Sequence, residues 1–154
     1  MIQRVIGIDP GPTQSALVVF DGTRVEVVQI ASNEEIIHRL RTWSGDPLAI
    51  ERIASMGMTV GESVFETAHW SGRFCEAYDP SGELIHRIKR IDVKMHLCGT
   101  PRSKDSNVRQ SLIDKFGGRE KAIGKKAAPG PLYGISSHAW SALAVAVVWY
   151  EKNC

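Results

Sequence analysis

Two carboxylates stand where apolar strands run out. Asp9 follows the run Val5-Ile6-Gly7-Ile8, and Glu51 follows Leu48-Ala49-Ile50. On adjacent strands they would converge at one sheet edge, and like charges there need a cation to be stable together. Hard oxygen donors of this kind suit Mg²⁺, which leaves room for water and a substrate phosphate. Metal ions so placed activate water and stabilise the leaving oxygen in phosphodiester cleavage. Each residue also has a plainer reading. Asp9-Pro10-Gly11 is ordinary turn chemistry, and Glu51 could simply pair with Arg52 or another base. His138 opens the last helical segment, where an imidazole could ligate a metal, contact a phosphate or merely face solvent. Ser141 lies one turn further along the same face.

The elements that must position these groups are legible from periodicity. Residues 2–8 read as a strand, followed by Ser15–Phe20 and Arg24–Ile30 with the tight turn Asp21-Gly22 between them. Loops this short make both connections antiparallel. Asn33–Trp43 reads as a helix capped by Asn33, with Ile36, Ile37, Leu40 and Trp43 on one face. Leu48–Glu51 is a buried strand, 54–61 a glycine-hinged loop, and Glu62–Tyr78 a helix in which Gly72 suggests close packing against a neighbour. Leu84–Ile88 is the fifth strand. Residues 91–97 fit a short helix or an extended piece equally. Asp105–Phe116 is a helix closed by Gly117-Gly118. Arg119–Gly134 reads as a basic loop that becomes ordered with ligand, and Ser136 or Ser137 caps a final helix to about Tyr150. The expected architecture is α/β, a mixed five-stranded sheet flanked by helices.

Composition bounds the function. The 154 residues suit one domain spanning 1–154. No apolar run approaches the roughly 20 residues that cross a bilayer. The start enters a strand without a signal-peptide pattern, so a cytosolic protein without membrane contact is expected. Cys75, Cys98 and Cys154 form no CxxC pair and read as free thiols rather than a zinc site. The net charge is +2, but residues 87–126 hold twelve basic residues against four acidic ones, a local +8 that leaves −6 for the rest. Such polarity suits either a polyanion-binding face or a solvated surface. Trp43, Trp70, Trp140 and Trp149 all fall in helical segments and read as core or dimer-interface residues.

The ordered set Ile6-Gly-Ile-Asp-Pro-Gly11, Ala49-Ile-Glu-Arg-Ile53 and Ser137-His-Ala-Trp-Ser-Ala-Leu-Ala144 resembles the RuvC-type Holliday junction resolvases, and more closely their phage-encoded relatives. The phage-type likeness continues through 57–67, 71–74, 94–99 and 130–134. Gly-Ile-Asp-Pro-Gly alone also resembles the first strand of actin-like ATPases. For that class the chain is too short, and it lacks a second glycine-rich phosphate loop.

The resemblance implies a ribonuclease-H-like fold, Mg²⁺ or Mn²⁺ as the cofactor with no small-molecule cofactor, and a homodimer that nicks opposing strands of a four-way DNA junction. It puts catalytic metal ligands on Asp9, Glu51 and His138. Where the family carries a second acidic ligand on the last helix, this chain has Ser141. Asp105 is a candidate substitute ligand, though an acidic residue at a helix start is also stabilised by the helix dipole. Lys104 resembles a basic position beside the scissile phosphate. The 54–61 loop corresponds to a segment pushed toward the junction centre, where Met56 and Met58 would stack on opened base pairs or else pack in the core. Arg102, Arg119, Lys121, Lys125 and Lys126 would contact phosphates. The broader alternatives are a nuclease acting on forks, flaps or RNA–DNA hybrids, and a junction-binding protein with weakened chemistry.

Overall fold

The computed structural model describes residues 3–55 and 57–154. Three strands open the chain: β1 (Val5–Asp9), β2 (Gln14–Phe20) and β3 (Val25–Ser32). Then follow α1 (Asn33–Thr42), β4 (Leu48–Arg52), α2 (Glu62–Tyr78), β5 (Ile85–Lys89), α3 (Arg90–Cys98) and α4 (Asp105–Lys115). A short helix α5 (Arg119–Ala122), a small hairpin of β6 (Gly124–Lys125) and β7 (Ala128–Pro129), and α6 (Ala139–Asn153) complete the chain. The main sheet has the order β3-β2-β1-β4-β5. Its β1, β2 and β3 are antiparallel neighbours, whereas β4 and β5 run parallel to β1. The expected mixed five-stranded sheet is present.

Side chains alternate across a strand, so each strand serves two cores. Val5, Ala16, Val18 and Ala49 join the core beneath α6, while Ile6, Ile8, Leu17, Leu48 and Ile50 join the one beneath α1 and α2. By the same alternation Asp9 and Glu51 belong to the α6 side of the sheet.

Several local readings change. Residues 91–97 are helical, and α3 ends at Gly99, whose φ of 78° is the left-handed stop that favours glycine. The stretch 119–134 is no open loop. Ala122 and Leu132 are fully buried, and Val25 N donates to Pro131 O at 2.9 Å. Two buried apolar anchors spaced ten apart escape a search for regular periodicity. Ser32, not Asn33, caps α1, its Oγ accepting from Glu35 N at 3.2 Å. Neither Ser136 nor Ser137 caps the last helix, which begins after His138 with no side-chain cap. Gly72 packs against nothing, since a Cβ there meets no atom within 4 Å. Cys75 and Cys98 are only half-buried. Trp70 and Trp149 are buried, as expected of core residues, whereas Trp43 ends α1 beneath the Arg4 guanidinium. Among the described residues no helix is long and apolar enough to cross a membrane.

Candidate active site

The last paired residues of β1 and β4 are Ile8 and Ile50, so Asp9 and Glu51 come next on parallel neighbouring strands. Helix α6 crosses this face over β1, β2 and β4. Its approach is close at Gly7, where any Cβ would stand 2.2 Å from the Ala142 carbonyl oxygen. Glycine is required there because the helix backbone lies almost on the strand. That approach delivers His138 to Asp9, with Nδ1 3.2 Å from Oδ2.

The loop after β1 is braced rather than free. Ser15 Oγ donates to Asn33 Oδ1 at 2.6 Å and accepts from Gly11 N at 3.0 Å. Asn33 Nδ2 donates to Gly11 O at 3.0 Å. Asn33 is fully buried, and its amide ties the loop to the start of α1. The result is an open cleft of about 530 Å³ whose lining includes Asp9, Glu51, Arg52, Lys89, Arg90 and His138.

Asp9 is 6 % exposed. Burial first, and then the neighbouring Glu51 charge, raise its carboxyl from 3.8 to about 7, with Arg90 opposing the shift. Glu51 is paired with Arg90, not with Arg52: Arg90 Nε donates to Glu51 Oε1 at 3.0 Å. The same guanidinium reaches Asp105 at 3.8 Å, and Lys94 Nζ stands 3.8 Å from the other Asp105 oxygen. Asp105 therefore lies at the site. It shares with His138 and Ser141 the lining of a groove of about 230 Å³.

Among the described residues no group of three or more His, Cys, Asp or Glu side chains is arranged to hold a metal ion. The Glu51 and Asp105 carboxylates are engaged by cationic side chains instead. The donor chemistry nevertheless suits a hard cation, because Asp9 and Glu51 bring carboxylate oxygens, and His138 an imidazole nitrogen, to one cleft.

The other sequence candidates are dispersed. Lys104 is exposed at the N-terminal boundary of α4, its backbone N donating to Asn107 Oδ1 at 2.9 Å. Arg102 lines a separate groove with Thr100, Ser103 and Asn107. Arg119, Lys121, Lys125 and Lys126 are exposed, on a segment anchored at Val25. Val25 pairs with Phe20, and Phe20 with Val5, so that anchor is at the end of the sheet opposite Asp9. Met58 is 75 % exposed, which removes the core-packing reading for it. Met56 lies outside the described residues.

Arg90, Lys89 and Phe65 were not singled out from the sequence, and Arg52 was named only as a partner for Glu51. Arg52 and Lys89 are register partners at the ends of β4 and β5. The strand-end argument that selects Glu51 also selects them. Phe65 is 66 % exposed on α2, between the cleft-lining Val64 and Thr67.

The overall fold matches solved structures. The chain is similar to the solved structure of RuvC from Thermus thermophilus, at 18% sequence identity and a TM-score of 0.67, over 97% of this chain and 96% of that one. It is also similar to T. thermophilus RuvC in complex with a Holliday junction substrate, at 17% identity and a TM-score of 0.66, over 97% and 95% of the two chains. The fold is RuvC-like. No protein-family model matches the chain, and no curated protein matches it. In this RuvC-like fold the two strand-end carboxylates and His138, which immediately precedes the last helix, meet at one cleft.

Proposed function

We propose that residues 1–154 form a single metal-dependent endonuclease domain that resolves four-way DNA junctions and related branched DNA as a homodimer. The observation that carries this reading is the meeting of Asp9, Glu51 and His138 in one open cleft on a RuvC-like fold. Asp9, Glu51 and His138 would hold Mg²⁺ or Mn²⁺. An ion held there would activate water and neutralise charge on the phosphodiester. Arg52 and Lys89 at the rim attract the DNA backbone, and Arg90 keeps Glu51 aimed into the site. Lys104 steadies the neighbouring phosphate. Met58 and Phe65 offer apolar tips for opened base pairs. Arg102, Arg119, Lys121, Lys125 and Lys126 serve phosphates further along the arms, a contribution that weakens steeply with salt.

The test is cleavage of a labelled four-way junction in Mg²⁺ and in Mn²⁺, beside linear duplex, Y-fork and RNA–DNA hybrid controls. Paired nicks near the crossover are expected. Cutting spread over forks and hybrids would replace the resolvase with a broader nuclease. One observation favours a second reading, a junction-binding protein with weakened chemistry: the engagement of Glu51 and Asp105 by Arg90 and Lys94. Tight junction binding without cleavage in either metal would establish it.

A further inference from the structure

Arg90 already stands between the two carboxylates that a second ion would bridge: its Nε donates to Glu51 Oε1 at 3.0 Å, and its Nη1 is 3.8 Å from Asp105 Oδ2. Lys94 Nζ stands 3.8 Å from the other Asp105 oxygen. The open space at the site, about 530 Å³, is the cleft that contains Asp9 and His138.

Charge balance points the same way. Asp9, Glu51 and Asp105 supply three negative charges when ionised, and Arg90 and Lys94 return two positive ones through the contacts described. One divalent ion leaves the cluster slightly positive, ready for a phosphate. Two would leave it strongly positive, with Ser141 adding no carboxylate to offset them. Arg90 also has the right chemistry to replace an ion. Its charge is permanent, and its planar fork matches carboxylate and phosphate oxygens. With 43 % of its side chain exposed, it remains accessible to substrate.

We propose that Arg90 occupies the place of a second metal ion, so that this site takes a single divalent cation per chain and the guanidinium supplies the other positive charge to the scissile phosphate. The inference rests on the reading of Asp9 and Glu51 as metal ligands. Ser141 is then the counterpart of Arg90: a carboxylate at 141 would pair with the guanidinium instead of recruiting an ion.

The experiment is titration of the metal-stripped full chain with Mn²⁺, counting bound ions by the paramagnetic resonance of the free ion. The wild type and Ser141→Asp should each bind a single Mn²⁺. Arg90→Gln combined with Ser141→Asp should bind a second, and Arg90→Lys with Ser141→Asp should not. Two ions on the wild type would overturn the proposal, a result that does not depend on any variant folding. Equal stoichiometry in the Gln and Lys double variants, both folded by circular dichroism, would overturn it as well. A wild type that binds a single ion and cuts no DNA would leave the proposal standing and remove the nuclease reading. Cleavage by a two-ion protein would do the reverse. Absence of Mn²⁺ binding would remove both.

Discussion

The metal-free protein should lose stability as pH rises, and Asp9 should be the cause. Its carboxyl is raised from 3.8 to about 7 by burial and by Glu51. Below about pH 4 the side chain is protonated in both the folded and unfolded states and has no effect. Between about pH 4 and 7 the unfolded chain releases the proton while the folded chain keeps it. Stability then falls by about 1.4 kcal/mol per pH unit. Above about pH 7 the loss is complete, with a ceiling of about 4 kcal/mol, of which about 3 kcal/mol falls between pH 5 and 8. His86 acts in the opposite direction, because burial lowers its pKa from 6.5 and charging it disfavours the fold. Comparison with Asp9→Asn cancels that contribution. The assay is urea unfolding of both proteins in chelator at pH 5 and pH 8. Asp9→Asn should gain about 3 kcal/mol on the wild type across that interval. Parallel pH dependences would refute the assignment of Asp9 as the strained carboxyl. At pH 8, Mg²⁺ at about 100 times its Kd should return about 2.7 kcal/mol to the wild type and leave Asp9→Asn unmoved.

Gly7→Ala should cost about 1–3 kcal/mol in urea unfolding, because the new Cβ meets the Ala142 carbonyl and α6 must retreat. Junction cleavage should fall with it, since His138 retreats from Asp9. Asn33→Ala should cost about 1–3 kcal/mol by leaving the buried Ser15 hydroxyl and Gly11 carbonyl without their partner. Limited proteolysis should then open the loop after β1. Gly72→Ala should raise stability by about 0.5–1 kcal/mol, read as a higher melting temperature, because it adds helix propensity at a position with free space.

The sheet was legible because its signals are local. The apolar runs Val5–Ile8, Ser15–Phe20 and Leu48–Ile50, the Asp21-Gly22 turn and the alternation at the start of Arg24–Ile30 each declare a strand within a few residues. Asp9 and Glu51 were legible for the same reason, as charges that terminate apolar runs. What escaped depends on contacts distant in sequence. Arg90 meets Glu51 across 39 positions, and Asn33 meets Gly11 across 22. Asn33 in particular has a composition-level explanation as a cap, which masked its part in the loop brace. Gly72 misled in the other direction, because a glycine in a helix signals close packing only when a neighbour is present. The exposed basic residues of 119–126 were visible as charge, but their distance from Asp9 is a property of where Pro131 joins β3.

Helix α6 is clamped far from the cleft. Glu151 near its end is held by His96 at 2.8 Å and Lys115 at 3.0 Å, while the Tyr150 ring fills the space over Gly22. Between that clamp and His138 lies a buried rod roughly 20 Å long, apolar along nearly its whole length. A close-packed rod does not absorb displacement, so it behaves as a gauge block between two faces of the protein. Residues far from the cleft thus set the Asp9–His138 separation. A neutral side chain at 151 would loosen that clamp and shift His138 relative to Asp9.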